Sequence, residues 1–234
     1  MRTNLYKGAK ELGIELSPLQ LDQFGAFYKL LLEWNEKINL TTITAEKDVL
    51  VKHFLDSLSG ASVFSMQKKM KVADIGTGGG FPGIPLAIAF PEASFLLMDA
   101  TGKKVRFLKK VIEELGLFHV DAVQGRAEEM AHQEGFREHF DLVVSRAVAS
   151  MPVLLEYLAG FAKPGGQIAA YKGPSVSEEM TAAERAIRKL GLSTKEQREI
   201  RIGEYAHSIV LFEKKAALNA QYPRTQAQIK KNPL

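Results

Sequence analysis

The sequence contains no cysteine. That absence excludes disulfides and thiolate metal sites, and it fits a reducing compartment. No apolar run is long enough to span a bilayer, and the opening Met1-Arg-Thr-Asn-Leu-Tyr-Lys-Gly8 lacks the apolar core of a secretory signal. A cytoplasmic location with no membrane attachment is therefore expected. No large excess of one charge is present: 31 basic and 27 acidic side chains leave a net +4. That is too mild by itself to announce a nucleic-acid partner. Internal repeats and long low-complexity segments are also absent. A 234-residue chain with 46% apolar side chains remains, enough for one large domain or one domain with an appendage.

Chemistry concentrates in Val72-Ala-Asp-Ile-Gly-Thr-Gly-Gly-Gly-Phe-Pro-Gly-Ile-Pro-Leu86. A buried strand over Lys71 to Ile75 is followed by a glycine-rich turn, Gly76 to Gly80, and by a helix that starts near Ile84 and ends near Phe90. Glycines permit positive φ and let a ligand approach where a Cβ would stand. N–H groups of such a turn and of the helix start face a crevice at the carboxyl end of a parallel sheet. No Lys-Ser or Lys-Thr pair opens the helix, which argues against a P-loop and NTP hydrolysis. Gly76 and Gly78 fit the first positions of a dinucleotide G-x-G-x-x-G, but Phe81 stands at the third, where close helix–strand packing calls for glycine. An acidic residue on the strand followed by G-x-G-x-G, here Asp74 to Gly80, is the loop form of a Rossmann-like methyltransferase that uses S-adenosyl-L-methionine. Asp74 is then expected to face the cationic amino-acid end of that cofactor, directly or through water.

The rest of the chain supports an α/β reading. Residues 1–70 read as a helical appendage. Ser17-Pro18 is a helix cap followed by proline, and Leu21, Phe24, Tyr28 and Leu31 recur on one face. A second helix over about Asp48 to Leu58 places His53 and Asp56 three apart, either a surface pair or, if this helix borders the crevice, a substrate contact. Residues 71–213 alternate strand and helix. Strands are expected at Ser94–Asp99, Val120–Gln124, Phe140–Ser145 and Gln167–Tyr171, the last preceded by a turn at Pro164-Gly165-Gly166. Helices are expected over about Thr101–Leu115, Pro152–Ala162 and Ser177–Leu190. A closing antiparallel pair spans about Lys195–Ile202 and Ser208–Glu213. The total is about seven strands, mostly parallel, with helices on both faces. Residues 214–234 form a basic tail, either a flexible arm or an ordered strap.

Three groups of residues invite functional readings. Asp99 lies 25 residues after Asp74, near the spacing at which a carboxylate takes ribose hydroxyls, although it also suits a helix cap. Lys103, Arg106 and Lys110 form one stripe on the helix after Asp99, either solvated or steering phosphates. Arg146 and Lys172 each stand at a strand's carboxyl edge, and for Arg146 a cofactor carboxylate, an RNA phosphate and a structural ion pair are the alternative partners.

Taken together, Trp34-Asn-Glu-Lys-Ile-Asn-Leu-Thr41, His53-Phe-Leu-Asp-Ser-Leu58, Asp74 to Pro85, Gly102-Lys-Lys-Val-Arg-Phe-Leu108, Gly125-Arg-Ala-Glu128, Ser145-Arg-Ala147, Tyr171-Lys-Gly173 and Tyr222-Pro-Arg224 resemble, in order and along nearly the whole chain, the bacterial small-subunit rRNA guanine-N7 methyltransferase family (RsmG, formerly glucose-inhibited division protein B). The chain departs from the family pattern after Arg224, where Thr225-Gln-Ala-Gln-Ile replaces a basic residue and a Gly-x-Pro. The resemblance implies a class I methyltransferase with S-adenosyl-L-methionine as donor and one guanine of a 16S rRNA loop near the decoding region as acceptor. It places cofactor contacts at Gly76, Phe81, Ala127, Glu128 and Arg146, to which the loop and spacing arguments add Asp74, Gly78 and Asp99. RNA contacts are expected at Lys103, Arg106, Lys172, Arg224 and His53, with Arg146 and Lys172 orienting the reacting groups. No general base, metal or protein partner is expected. A methyltransferase of small molecules or proteins, a non-catalytic RNA-binding protein and a nicotinamide oxidoreductase are the alternative readings.

Overall fold

The structure, a computed structural model, describes residues 1–173 and 175–234. Its centre is a seven-stranded sheet: β1 (Lys71–Ile75), β2 (Ser94–Asp99), β3 (Val120–Gln124), β4 (Phe140–Arg146), β5 (Ala162–Lys172), β6 (Leu192–Ile202) and β7 (Tyr205–Lys214). The strand order is β3-β2-β1-β4-β5-β7-β6. The first five strands run parallel, and β7 pairs antiparallel with both β5 and β6. The chain therefore reverses direction across the sheet between β1 and β4, and the crevice at their carboxyl ends is where an open α/β sheet binds ligands.

Both faces are covered, because each strand alternates its side chains between them. Val72, Leu142 and Val144 join the N-terminal helices in one apolar cluster. Ala73, Ile75 and Val143 join a second cluster on the opposite face. The first face carries α1 (Arg2–Glu11), α2 (Pro18–Ile38), a broken helix described below, α5 (Gly83–Ala89) and α6 (Gly102–Leu115). The second carries α8 (Met151–Ala159) and α9 (Val176–Lys189), with the short α7 (Ala127–Met130) beside them.

The capping box that opens α2 explains how this helix is locked in place. Gln20 N–H donates to Ser17 Oγ (3.3 Å), Ser17 N–H donates to Gln20 Oε1 (2.8 Å), and Pro18 needs no partner. The same Gln20 amide donates to Ile88 O (2.7 Å) at the end of α5. Phe24, Phe27 and Leu31 are fully buried there, each contributing roughly 1.5–3 kcal/mol by leaving water. On α6, Val105, Leu108, Val111 and Leu115 recur at helical spacing and are buried, Ile112 on the same face is half-buried, and Phe107 is buried as well, against Phe27 and Trp34 of α2.

Two local expectations change, and one open alternative is decided. The helix expected over Asp48–Leu58 is α3 (Glu46–Val49), one π-helical turn (Leu50–Leu55) and α4 (Asp56–Leu58). The wider turn alters the angle between residues three apart, and such turns gather at functional sites. Strand β5 starts five residues before Gln167, at Ala162, and includes Pro164-Gly165-Gly166. This is possible because the β4–β5 register shifts between Phe140 and Leu142, and Gly165 takes φ +79°. The tail is an ordered strap ending in α10 (Gln226–Lys231), held by Arg137, which donates to the carbonyls of Leu218 and Tyr222 (both 3.0 Å). Among the described residues no helix is long and apolar enough to cross a membrane, and no group of three or more His, Asp or Glu could hold a metal.

Candidate active site

The glycine loop between β1 and α5 is built around Asp74. Its carboxylate is fully buried, and one oxygen accepts from Thr77 Oγ (2.6 Å) and from Gly83 N–H (2.7 Å). The other oxygen has no partner. Burial pushes this carboxyl up to about 7, only partly offset by those two donors. Asp74 thus ties the turn to the start of α5. Close helix–strand approach occurs at Gly83, where a Cβ would lie 2.3 Å from Leu97 and 2.7 Å from Asp74. The bulky Phe81, two residues earlier, leaves that packing intact.

Beside the loop is a cavity of about 260 Å³ lined by Gly76, Asp99, Ala127, Glu128, Val148 and Tyr157. Gly76 and Gly78 both have positive φ, and a Cβ on Gly76 would stand 2.5 Å from Val148. Asp99, at the end of β2, accepts from Gly78 N–H (3.1 Å) and Thr101 N–H (2.8 Å) and keeps lone pairs free. Glu128 is buried, with Oε1 lacking any hydrogen-bond partner. Gln226 and Lys230 of α10 close the cavity from the tail side.

A second cavity, about 410 Å³, adjoins it and is lined by His53, Asp56, Arg146, Lys172, Glu179 and Tyr205, among others. The chain from Arg146 to Ala149 is the wall between the two: Val148 and Ala149 line the first cavity, Arg146 and Ala147 the second. Ala147 takes φ +56°, a left-handed conformation that costs energy in a residue with a Cβ. A larger hollow of about 740 Å³ lies at the other end of the strands, near Lys71, Ser94 and His139, away from the loop.

Arg146 organises the second cavity. Its guanidinium donates to Asp56 Oδ2 (2.5 Å) and to Lys52 O (3.0 Å), lies 3.2 Å from His53 Nδ1, and sits 5.1 Å above the Phe81 ring. His53 stacks on Phe81 at 4.4 Å, and its Nε2 lies 2.8 Å from Thr41 Oγ. The expected surface pair is therefore absent: His53 and Asp56 are both buried, and Arg146 stands between them. Asp56 Oδ1 lies 3.0 Å from His207 Nδ1, in poor alignment for a hydrogen bond. Burial would raise the Asp56 carboxyl, but His207 and Arg146 more than offset it and hold it below the usual range. Burial and Arg146 depress His53 to about 4, so it is neutral at neutral pH.

The remaining cations divide in two. Lys103 and Arg106 are exposed on α6 with no ion pair among the described residues, whereas Lys110 of the same expected stripe pairs with Glu113 and Glu114. Lys172 donates to Ala149 O (2.7 Å) and pairs with Glu179 (2.5 Å). Arg224 is held by Glu156, whose side chain is fully buried, through Nε (2.8 Å) and Nη2 (2.7 Å). That geometry makes Arg224 an anchor of the strap. Sequence reasoning missed His207, Tyr205, Glu179 and Gln226. A histidine opening the apolar run Ser208 to Phe212 was the one available signal.

A family model described as GidB, rRNA small subunit methyltransferase G, matches residues 20–205. Ribosomal RNA small subunit methyltransferase G of Alkaliphilus metalliredigens is 44% identical over 232 residues, covering 98% of this chain and 97% of its relative. The chain belongs to the rRNA small subunit methyltransferase G family. The protein of the same name from Brevibacillus brevis is 44% identical over 95% of this chain and 94% of its own. Membership makes the chain a methyltransferase, and the fold agrees. A SAM-dependent methyltransferase from Aquifex aeolicus superposes with a TM-score of 0.54 at 20% identity, covering 71% of this chain and 93% of the other. TrmN from Thermus thermophilus gives a TM-score of 0.52 at 16% identity, over 70% and 53%.

Proposed function

We propose that this methyltransferase transfers the methyl group of S-adenosyl-L-methionine to N7 of one guanine in a loop of small-subunit (16S) rRNA near the decoding region, acting in the cytoplasm on rRNA or on the small ribosomal subunit. One observation carries the reading: two cavities stand back to back across the Arg146–Ala149 wall at the carboxyl ends of the central strands. One suits a nucleoside cofactor and the other a flipped base.

The residues of the first cavity fit the cofactor. Gly76 lines it without a side chain, Gly78 N–H fixes Asp99, Asp99 keeps lone pairs for ribose hydroxyls, and Glu128 Oε1 is a buried acceptor without a hydrogen-bond donor. Ala127 lines the same space. Asp74 acts one step back, by fixing the loop through Thr77 and Gly83. Phe81 supports Arg146 and His53 from below. When bound, S-adenosyl-L-methionine supplies an electrophilic methyl group on a sulfonium centre.

Guanine N7 has a lone pair and carries no proton, so no side chain needs to remove one. His53, neutral and hydrogen-bonded, is not required as a base. What the chain supplies is position. Holding two reactants in line is worth roughly 7–11 kcal/mol in well-oriented systems. The acceptor base must leave its stack, at a cost of a few kcal/mol that an unpaired loop lowers. Lys103 and Arg106, exposed and unpaired, are placed to meet RNA phosphates.

The test is incubation with methyl-labelled cofactor and small-subunit rRNA, or subunits, from a strain lacking the enzyme, followed by mapping of the modified base. One new N7-methylguanine is expected. Label on another base, or on protein alone, would overturn the acceptor assignment.

A further inference from the structure

The second cavity contains an ion pair that none of the preceding argument uses. Lys172 ends β5 and Glu179 lies in the first turns of α9, and both line the cavity. Lys172 has three N–H groups. One donates to Ala149 O (2.7 Å) and one meets Glu179 Oε2 (2.5 Å). The same Glu179 oxygen accepts from Met151 N–H (2.7 Å). Glu179 Oε1 has only a long contact to Ser175 Oγ, at 3.4 Å. The pair is thus anchored on both sides and, among the described residues, leaves one Lys172 donor without a partner and Glu179 Oε1 with that long contact alone, on two residues that both line the cavity.

That pattern selects among the bases. Along its Watson–Crick edge guanine presents O6 as acceptor, then N1–H and the 2-amino group as donors. An ammonium beside a carboxylate is the complement of this order. Adenine presents the reverse order, donor then acceptor, and would set its 6-amino group against Lys172 and its N1 against the carboxylate. Cytosine fails in the same way. Uracil matches the first two positions but turns O2 toward the carboxylate. We propose that Lys172 and Glu179 read the Watson–Crick edge of the target guanine in the second cavity, Lys172 donating to O6 and Glu179 accepting from N1–H and the 2-amino group. This rests on the second cavity being the acceptor site. Reading by this edge leaves N7 uncovered for methyl transfer, which a donor placed on the Hoogsteen edge would not. Both residues are specificity-determining; neither supplies or removes a proton in the reaction.

The experiment couples one atom of the base to one side chain. Small-subunit rRNA is assembled with guanosine or with inosine, which lacks only the 2-amino group, at the mapped target. Methyl transfer to each is measured as kcat/KM for wild type and for Glu179→Gln. In the variant the amide oxygen can keep the Lys172 and Met151 contacts, and the amide NH2 replaces the free acceptor. Wild type is expected to prefer guanosine by roughly 10- to 100-fold, the loss of a hydrogen bond to a charged group. Glu179→Gln is expected to lose roughly that much on guanosine and to show little preference between the two bases, the mark of direct coupling. Cofactor affinity and thermal midpoint, measured alongside, should hold near wild type. Equal use of guanosine and inosine by a wild type that does methylate N7 would overturn the proposal alone. An undiminished preference for guanosine in Glu179→Gln would also overturn it. No transfer to guanosine by wild type would overturn the acceptor assignment and the proposal together.

Discussion

The two cavities flanking the Arg146–Ala149 wall are built by different means. The first is assembled from short local pieces. Gly76 follows one strand directly, Asp99 ends the next, and Ala127 and Glu128 follow the one after within a few residues. The second is made of charged side chains brought together from the π-helical turn, α4, β4, β5, α9 and β7. Its shape depends on the buried Asp56 and His207 being held together with the half-buried Arg146. A site built of local pieces tolerates change except where an added Cβ would intrude, as at Gly76. A buried charge network fails when any partner is removed, because the others are left without compensation.

This contrast can be broken first at Asp56, whose side chain is 1% exposed. Asp56→Ala leaves the half-buried Arg146 charge without its carboxylate and should cost up to about 3–5 kcal/mol of stability, read as a fall in the urea midpoint. A loss below about 1 kcal/mol, the range of surface pairs, would show that the network is solvated.

The next effect separates the two carboxylates by pH. Asp74 has an unfolded value near 3.8 and a folded one of about 7. Between these values the folded protein binds more protons, so this group lowers stability as pH rises from about 4 to about 7, with no further change above. Asp56 has the opposite sign: its depressed carboxyl contributes stability above its unfolded value, lost as acid titrates the folded state. Asp74→Asn should therefore gain on wild type as pH rises through that window. A constant difference between the two proteins across the window would contradict the buried, partnerless placement of Oδ1.

The smallest effect lies outside both cavities. Lys103→Ala and Arg106→Ala should leave stability unchanged and each reduce the slope of log affinity for rRNA against log salt by about 0.7–1. Arg224→Ala should behave differently. It strands the fully buried Glu156 and should lower stability, with rRNA affinity following only through the fold. A normal fold with a reduced salt slope in Arg224→Ala would instead make this residue an RNA contact.

What was legible in the sequence follows the same division. The strand–loop–helix and its glycines are contiguous, so the seven-stranded α/β fold and the position of the first cavity could be read from local pattern. The helix cap at Ser17-Pro18 was legible for the same reason. The second cavity depends on contacts such as Arg146 with Asp56, 90 residues apart, which no local pattern encodes. The three-residue spacing of His53 and Asp56 reads as a direct pair, whereas the structure has a π-helical turn over His53 and Arg146 in contact with both residues. Arg224 looked like a free cation because a basic tail does not disclose Glu156, 68 residues earlier. Asp74 was placed correctly on the strand, but its commitment to Thr77 and Gly83 required the fold of the turn.

Cofactor affinity measured beside methyl transfer, for Gly76→Val and Arg146→Lys, tests the division most directly. Gly76→Val fills the cradle against Val148 and should weaken S-adenosyl-L-methionine at least roughly tenfold. Arg146→Lys keeps the charge but loses the bidentate fork that spans Asp56 and His53. It should bind the cofactor within about threefold of wild type while methyl transfer to small-subunit rRNA falls roughly tenfold or more. If Arg146→Lys instead weakened the cofactor as much as Gly76→Val does, Arg146 would belong to the cofactor site and the two-cavity account would be contradicted.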